Sequence, residues 1–134
     1  MGQEGIYALI PKDKFDTSTI DELMKISEDE VKIILPELLC WIADFNWPIA
    51  KDMINVLKRF SNNLIPLIQN ALSADESDDM LKYWIIRELM PVLSKEAQKQ
   101  LLTDIKRICD FPTMTEEIEG VCEEAKEFIE NQSI

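Results

Sequence analysis

Apolar residues recur along this chain at intervals of three and four, the spacing of helix faces. The pattern is clearest from Leu35 to Phe60, LPELLCWIADFNWPIAKDMINVLKRF. Pro36 lacks an N–H and has a fixed φ, so it suits a first helical turn, and Leu35, Leu38, Leu39, Trp41 and Ile42 follow as a stripe. A second helix is predicted after Asn46, read as its cap, with Pro48 in its first turn. Ala50, Met53, Ile54, Leu57 and Phe60 share one face of it, and Lys51, Asp52, Asn55, Lys58 and Arg59 the other. Two such helices joined by a short corner lie antiparallel.

The rest of the chain reads the same way. Residues 1–17 are predicted as an extended lead-in whose Ile6, Tyr7, Leu9 and Ile10 dock on the first helices. Thr17 or Ser18 caps a short helix, and Ser27 with Glu30 forms a capping box for the next. Ser61-Asn62-Asn63 reads as a turn, with Pro66 in the first turn of the helix after it. A helix from about Asp79 to Leu93, capped by Ser77 or Asp78, is apolar on nearly every side and is expected at the buried centre. Ser94 caps a helix that ends at Asp110-Phe111-Pro112, and Thr113 with Glu116 opens a final helix running to about Asn131.

The elements repeat. Pro36 to Asp44 resembles Pro66 to Asp75, and Asp110 occupies the same corner in a third pair, at a period of about 30 to 35 residues. The expected fold is all-α: a right-handed α-α superhelix of about three stacked antiparallel helical hairpins over residues 18–134, within one domain spanning 1–134. LIPKDKFD, LPELLCWIADFNWPIA and KYWIIRELMPVLS resemble an uncharacterised bacterial family, the domain of unknown function DUF5071. That resemblance implies a small solenoid of HEAT-like repeats and brings no activity, ligand or catalytic residue with it.

Composition narrows the chemistry. The 134 residues are 46% hydrophobic and 30% charged, proportions of a soluble globular chain, and no apolar run approaches the roughly 20 residues that span a bilayer. Neither a signal-peptide pattern nor the myristoylation pattern opens the chain, so a cytoplasmic location is expected. Cys40, Cys109 and Cys122 fall among apolar helical positions and are expected as buried free thiols. No histidine is present, which removes Ser-His-Asp and Cys-His nucleophiles and histidine-based metal sites. No phosphate-cradling glycine loop exists, and Asp75 to Asp79 lacks the glycine and glutamate of a calcium loop. No catalytic residue, cofactor or metal is therefore assigned, and no enzymatic activity is expected.

With 26 acidic against 14 basic residues the net charge is −12, which repels phosphate backbones and anionic lipid. Partners are accordingly expected among proteins, basic ones in particular, with no nucleic acid and no membrane, from a chain that is monomeric or weakly dimeric. An immunity or adaptor protein that neutralises a basic toxin is one version of this reading. An enzyme or nucleic-acid-acting HEAT-like protein is the alternative, disfavoured by the charge. Two surfaces are candidates. Phe45 and Trp47 stand at a hairpin corner, whereas Trp41 and Trp84 are expected in the core. On the final helix, Glu116, Glu119, Glu123, Glu127 and Glu130 form one stripe opposite Ile118, Val121, Cys122, Ala125, Phe128 and Ile129, and of these Glu119, Glu123 and Glu127 are the chosen partner-binding residues.

Overall fold

A computed structural model describes residues 3–132, and every regular element among them is helical. The predicted extended lead-in is replaced at its start by a short helix, α1 (Gln3–Tyr7). An isolated extended segment has no strand to pair its backbone, whereas here the Leu9 and Ile10 N–H groups donate to the Ile6 and Tyr7 carbonyls at 3.0 and 3.2 Å. Ile6 enters the core and Tyr7 stays out. Asp13 and Asp16 then order the following turns by accepting backbone N–H groups from Phe15, Lys12 and Ser18. The Ile49 N–H donates to the Lys14 carbonyl at 3.1 Å, which ties this segment to the organising hairpin.

Two short helices follow, α2 (Ile20–Leu23) and α3 (Glu28–Val31), then α4 (Leu35–Cys40) and α5 (Pro48–Leu57). Pro36 opens α4 as its sequence predicts. Pro48 is the first residue of α5, so Trp47, not Asn46, holds the cap position and supplies no side-chain hydrogen bond. The corner is made instead by Asp44, whose carboxylate accepts the Asn46 N–H at 2.9 Å and whose carbonyl accepts the Trp47 N–H at 3.1 Å. Ala50, Met53, Ile54, Leu57 and Phe60 are buried, the face the spacing predicts, and α5 packs on α2 and α4. Just beyond α5, Arg59 reaches back to the Leu23 and Ile26 carbonyls at 2.8 and 3.2 Å.

A 3₁₀ turn (Lys58–Phe60) leads directly into α6 (Ser61–Ala71). The predicted Ser61-Asn62-Asn63 turn is therefore helical, and Pro66 lies inside α6 rather than in its first turn. Ser61 accounts for the early start, because its hydroxyl donates to the Lys58 carbonyl at 3.3 Å and accepts the Ser94 N–H at 3.1 Å. Pro66 is exposed, while Leu64, Ile65, Ile68 and Ala71 hold the other face in the core. Pro36 and Pro66 thus occupy different positions in their helices, and the repeat read from them does not hold at that residue.

Asp78 caps α7 (Asp79–Trp84), its carboxylate accepting the Leu81 N–H at 3.1 Å. The predicted single helix to Leu93 instead widens into a π turn (Ile85–Leu89) and tightens into a 3₁₀ turn (Met90–Val92). Pro91 has no N–H to donate to the carbonyl four residues back, and the Met90 N–H reaches five residues back to the Ile85 carbonyl, the π spacing. Leu81, Ile85, Ile86, Leu89 and Met90 are buried, but Met80 and Val92 face outward. Ser94 caps α8 (Lys95–Asp110), which packs between α6 and the last helix with Ala97, Leu101, Ile105 and Ile108 inward.

The final helix is two. α9 (Met114–Ile118) and α10 (Val121–Gln132) are separated at Gly120, whose φ of +82° is a left-handed conformation. Val121, Cys122, Ala125 and Phe128 pin α10 against α7 and α8, completing a continuous core that runs from Ile6 to Phe128. Of the cysteines, Cys122 is buried and Cys109 half-buried, but Cys40 is exposed because it lies across α4 from the Leu35, Leu38 and Leu39 stripe. Among the described residues, no helix is long and apolar enough to cross a membrane.

Candidate interaction surface

Phe45 and Trp47 are half-buried, each against another aromatic ring. Phe45 stacks on Trp84 with centroids 5.3 Å apart, Tyr83 meets Trp84 edge-on at 4.9 Å, and Trp47 meets Trp41 edge-on at 5.8 Å. The α4–α5 corner is thereby bound to α7 through ring contacts, a favourable use of aromatic area. Trp41 and Trp84, expected in the core, are also half-buried.

The acidic stripe divides. Glu123 and Glu127 are exposed one turn apart on α10, and Glu119 is exposed at the end of α9. Glu116 is completely buried. A single periodicity carried through residues 116–130 assumed a continuous helix, and the left-handed turn at Gly120 resets the phase. Ile118, which that periodicity turned inward, is exposed.

Glu116 is the centre of a buried ionic cluster that sequence reasoning missed. Its Oε2 accepts from Lys82 Nζ at 2.7 Å, and Lys82 is completely buried as well. Arg107 grips the same carboxylate with both terminal nitrogens, at 2.6 Å to Oε1 and 2.7 Å to Oε2. The Thr113 N–H donates to Oε1 at 2.8 Å, and the Thr113 hydroxyl accepts the Glu116 N–H at 3.2 Å, which closes the predicted capping box. Arg107 further donates to the Leu72 carbonyl at the end of α6, at 2.7 Å. Asp79 Oδ1 lies 3.5 Å from Lys82 Nζ, a charge contact without a hydrogen bond. One carboxylate thus joins the end of α6 with α7, α8 and α9.

Burial alone raises the Glu116 carboxyl pKa, but the Arg107, Lys82 and Thr113 hydrogen bonds outweigh it and lower the value to about 2. The charge is held permanently at neutral pH. Loss of the shared carboxylate from such a cluster costs far more than the intact cluster contributes to folding, because desolvation offsets much of the attraction. Its clearest product is the fixed orientation of α9. Two sequence signals pointed to it: Lys82 is the one cation within DMLKYWII, and a capping box turns the N3 side chain back toward the chain.

With Glu116 turned inward, α9 is amphipathic the wrong way round for a surface helix. At 100° per residue, Met114 and Ile118 are 40° apart and Glu116 stands opposite them. Met114 is 75% and Ile118 71% exposed, and Phe111, at the preceding corner, is 78% exposed. Asp110, Glu117 and Glu119 are exposed around them. Among the described residues, no ion pair joins these three acids to a cation. By contrast, Glu124 on α10 is paired to Arg87 at 3.4 Å. Among the described residues, no group of three or more His, Cys, Asp or Glu is placed to hold a metal ion.

The sequence model of one family, described as Domain of unknown function (DUF5071), matches residues 9–129. No curated protein matches the chain.

Proposed function

The chain belongs to the DUF5071 family, and for this member we propose a non-enzymatic role: a HEAT-like stack of helical hairpins that binds another, basic, protein. The observation that carries this reading is the outward apolar face of α9 beside Asp110, Glu117 and Glu119, which form no ion pair among the described residues. Solvated helices put such residues inward, so a helix fixed the other way by a buried ion cluster favours an external occupant. A net charge of −12 favours a basic one and speeds its encounter. Glu119, Glu123 and Glu127 contribute to that field from the same end of the chain.

Immobilised protein challenged with lysate of its source organism tests the reading. It predicts recovery of a basic protein that is released as salt rises. Recovery of no protein at low salt, or a shift of duplex DNA by the purified chain, would overturn it.

A further inference from the structure

We propose that the Phe111, Met114 and Ile118 corner seats a cationic amphipathic segment of that partner, its apolar face on these three side chains and its Lys or Arg residues over Asp110, Glu117 and Glu119. The inference rests on the interaction role and adds where the partner docks and what recognises it. All three apolar side chains are more than two-thirds exposed, within eight residues of chain. Met114 and Ile118 are one turn apart on one helix face, so they present a ridge rather than scattered contacts. The ridge is preformed: the bidentate Arg107 grip and the Lys82 contact hold Glu116 beneath it, and a preorganised anchor binds without first paying an ordering cost.

Charge selects the occupant. A second copy of this chain could cover the apolar residues, but a two-fold contact would bring Asp110, Glu117 and Glu119 against their own copies. An anionic membrane or a nucleic acid meets the same repulsion. A segment with apolar residues at helical spacing flanked by Lys or Arg satisfies both the ridge and its rim.

The test uses a fluorescent amphipathic Leu/Lys peptide of about 15 residues, long enough for one helix to cover the ridge, with a Leu/Glu peptide of the same apolar pattern as control. The full chain is titrated at moderate salt by anisotropy, alongside Phe111→Ser/Met114→Ser/Ile118→Ser and Glu123→Lys/Glu127→Lys variants. Circular dichroism and thermal midpoint verify that each variant is folded. The proposal expects binding of the Lys peptide only, weakened roughly tenfold or more by the triple serine variant, as truncation of central apolar anchors does. Equal binding by the triple variant with loss in the α10 variant moves the dock to α10, overturning the corner while leaving the interaction role intact. Equal binding of the Leu/Glu peptide overturns the charge selection. No binding of the Lys peptide overturns the corner site, and the role itself then rests on the lysate experiment alone. Sedimentation showing a dimer of the wild type that the triple variant abolishes assigns the corner to a second copy and overturns the proposal.

Discussion

Glu116 and Lys82 are both fully buried, yet their removal is predicted to have unequal effects. Glu116→Ala strands Lys82 with only Asp79 at 3.5 Å and strips Arg107 of both its hydrogen bonds to the carboxylate. That is the loss of a buried partner, expected to destabilise by about 3–5 kcal/mol. Lys82→Met leaves Glu116 with Arg107 and the Thr113 N–H, and the expected loss is clearly smaller. Urea unfolding of the two variants checks the order, and equal losses would contradict the geometry. The pH dependence has a definite sign. The Glu116 pKa is lowered from 4.5 to about 2 in the fold, so the unfolded chain binds its proton first as pH falls. Its contribution is fully present above about pH 4.5 and is lost between there and about pH 2. Glu116→Gln is expected to show a flatter stability profile across that window, measured by urea midpoints at successive pH values. The Thr113–Glu116 capping box was legible in sequence because it is local. What covers the carboxylate was not, since Lys82 approaches from 34 residues away.

Long uninterrupted helices were read correctly, as were the short α3 behind its Ser27 cap and α4 opening at Pro36, whereas α1 and the interrupted helices were not. α5 and α8 bury the faces their spacing gives, because each is long enough for a stripe to define an inside. α1 and α9 are five residues each, too short to form alone, so tertiary contacts decide their existence and orientation. The π turn at Ile85–Leu89 and the interior Pro66 likewise answer to packing rather than local propensity. Between α9 and α10 the decisive residue is Gly120. A Cβ there would meet Tyr83 at an ordinary 3.6 Å, so the obstacle to substitution is its φ of +82° and not space. Gly120→Ala is expected to destabilise by about 1–2 kcal/mol, the usual penalty for a left-handed L-residue, and Gly120→Asn by less. Thermal melts of the pair provide the check, and an unchanged midpoint for the alanine variant would mean the two helices join without this turn.

Over the whole molecule, a net charge of −12 makes the folded state repel itself. Salt shortens the screening length from roughly 30 Å at about 0.01 M to roughly 3 Å at about 1 M, while the buried Glu116 cluster is screened little. The thermal midpoint is therefore expected to rise with sodium chloride. A fall would mean that exposed ion pairs such as Arg87–Glu124 outweigh the repulsion, contrary to their usual small worth. The same acidity, together with an apolar ridge that faces solvent, is what the proposed basic protein partner would meet. All-helical architecture was legible from periodicity, and a preference for basic partners is an expectation that composition alone supports. The ridge was not legible, because Ile118 and Glu116 exchange their predicted sides once the chain turns at Gly120. Methyl NMR of the full chain titrated with the cationic amphipathic peptide tests the docking claim most directly. The Met114 and Ile118 methyl signals are predicted to shift, with those of buried Ile105 and Ile108 unmoved. Shifts confined to α10, or none at Met114 and Ile118, would contradict it.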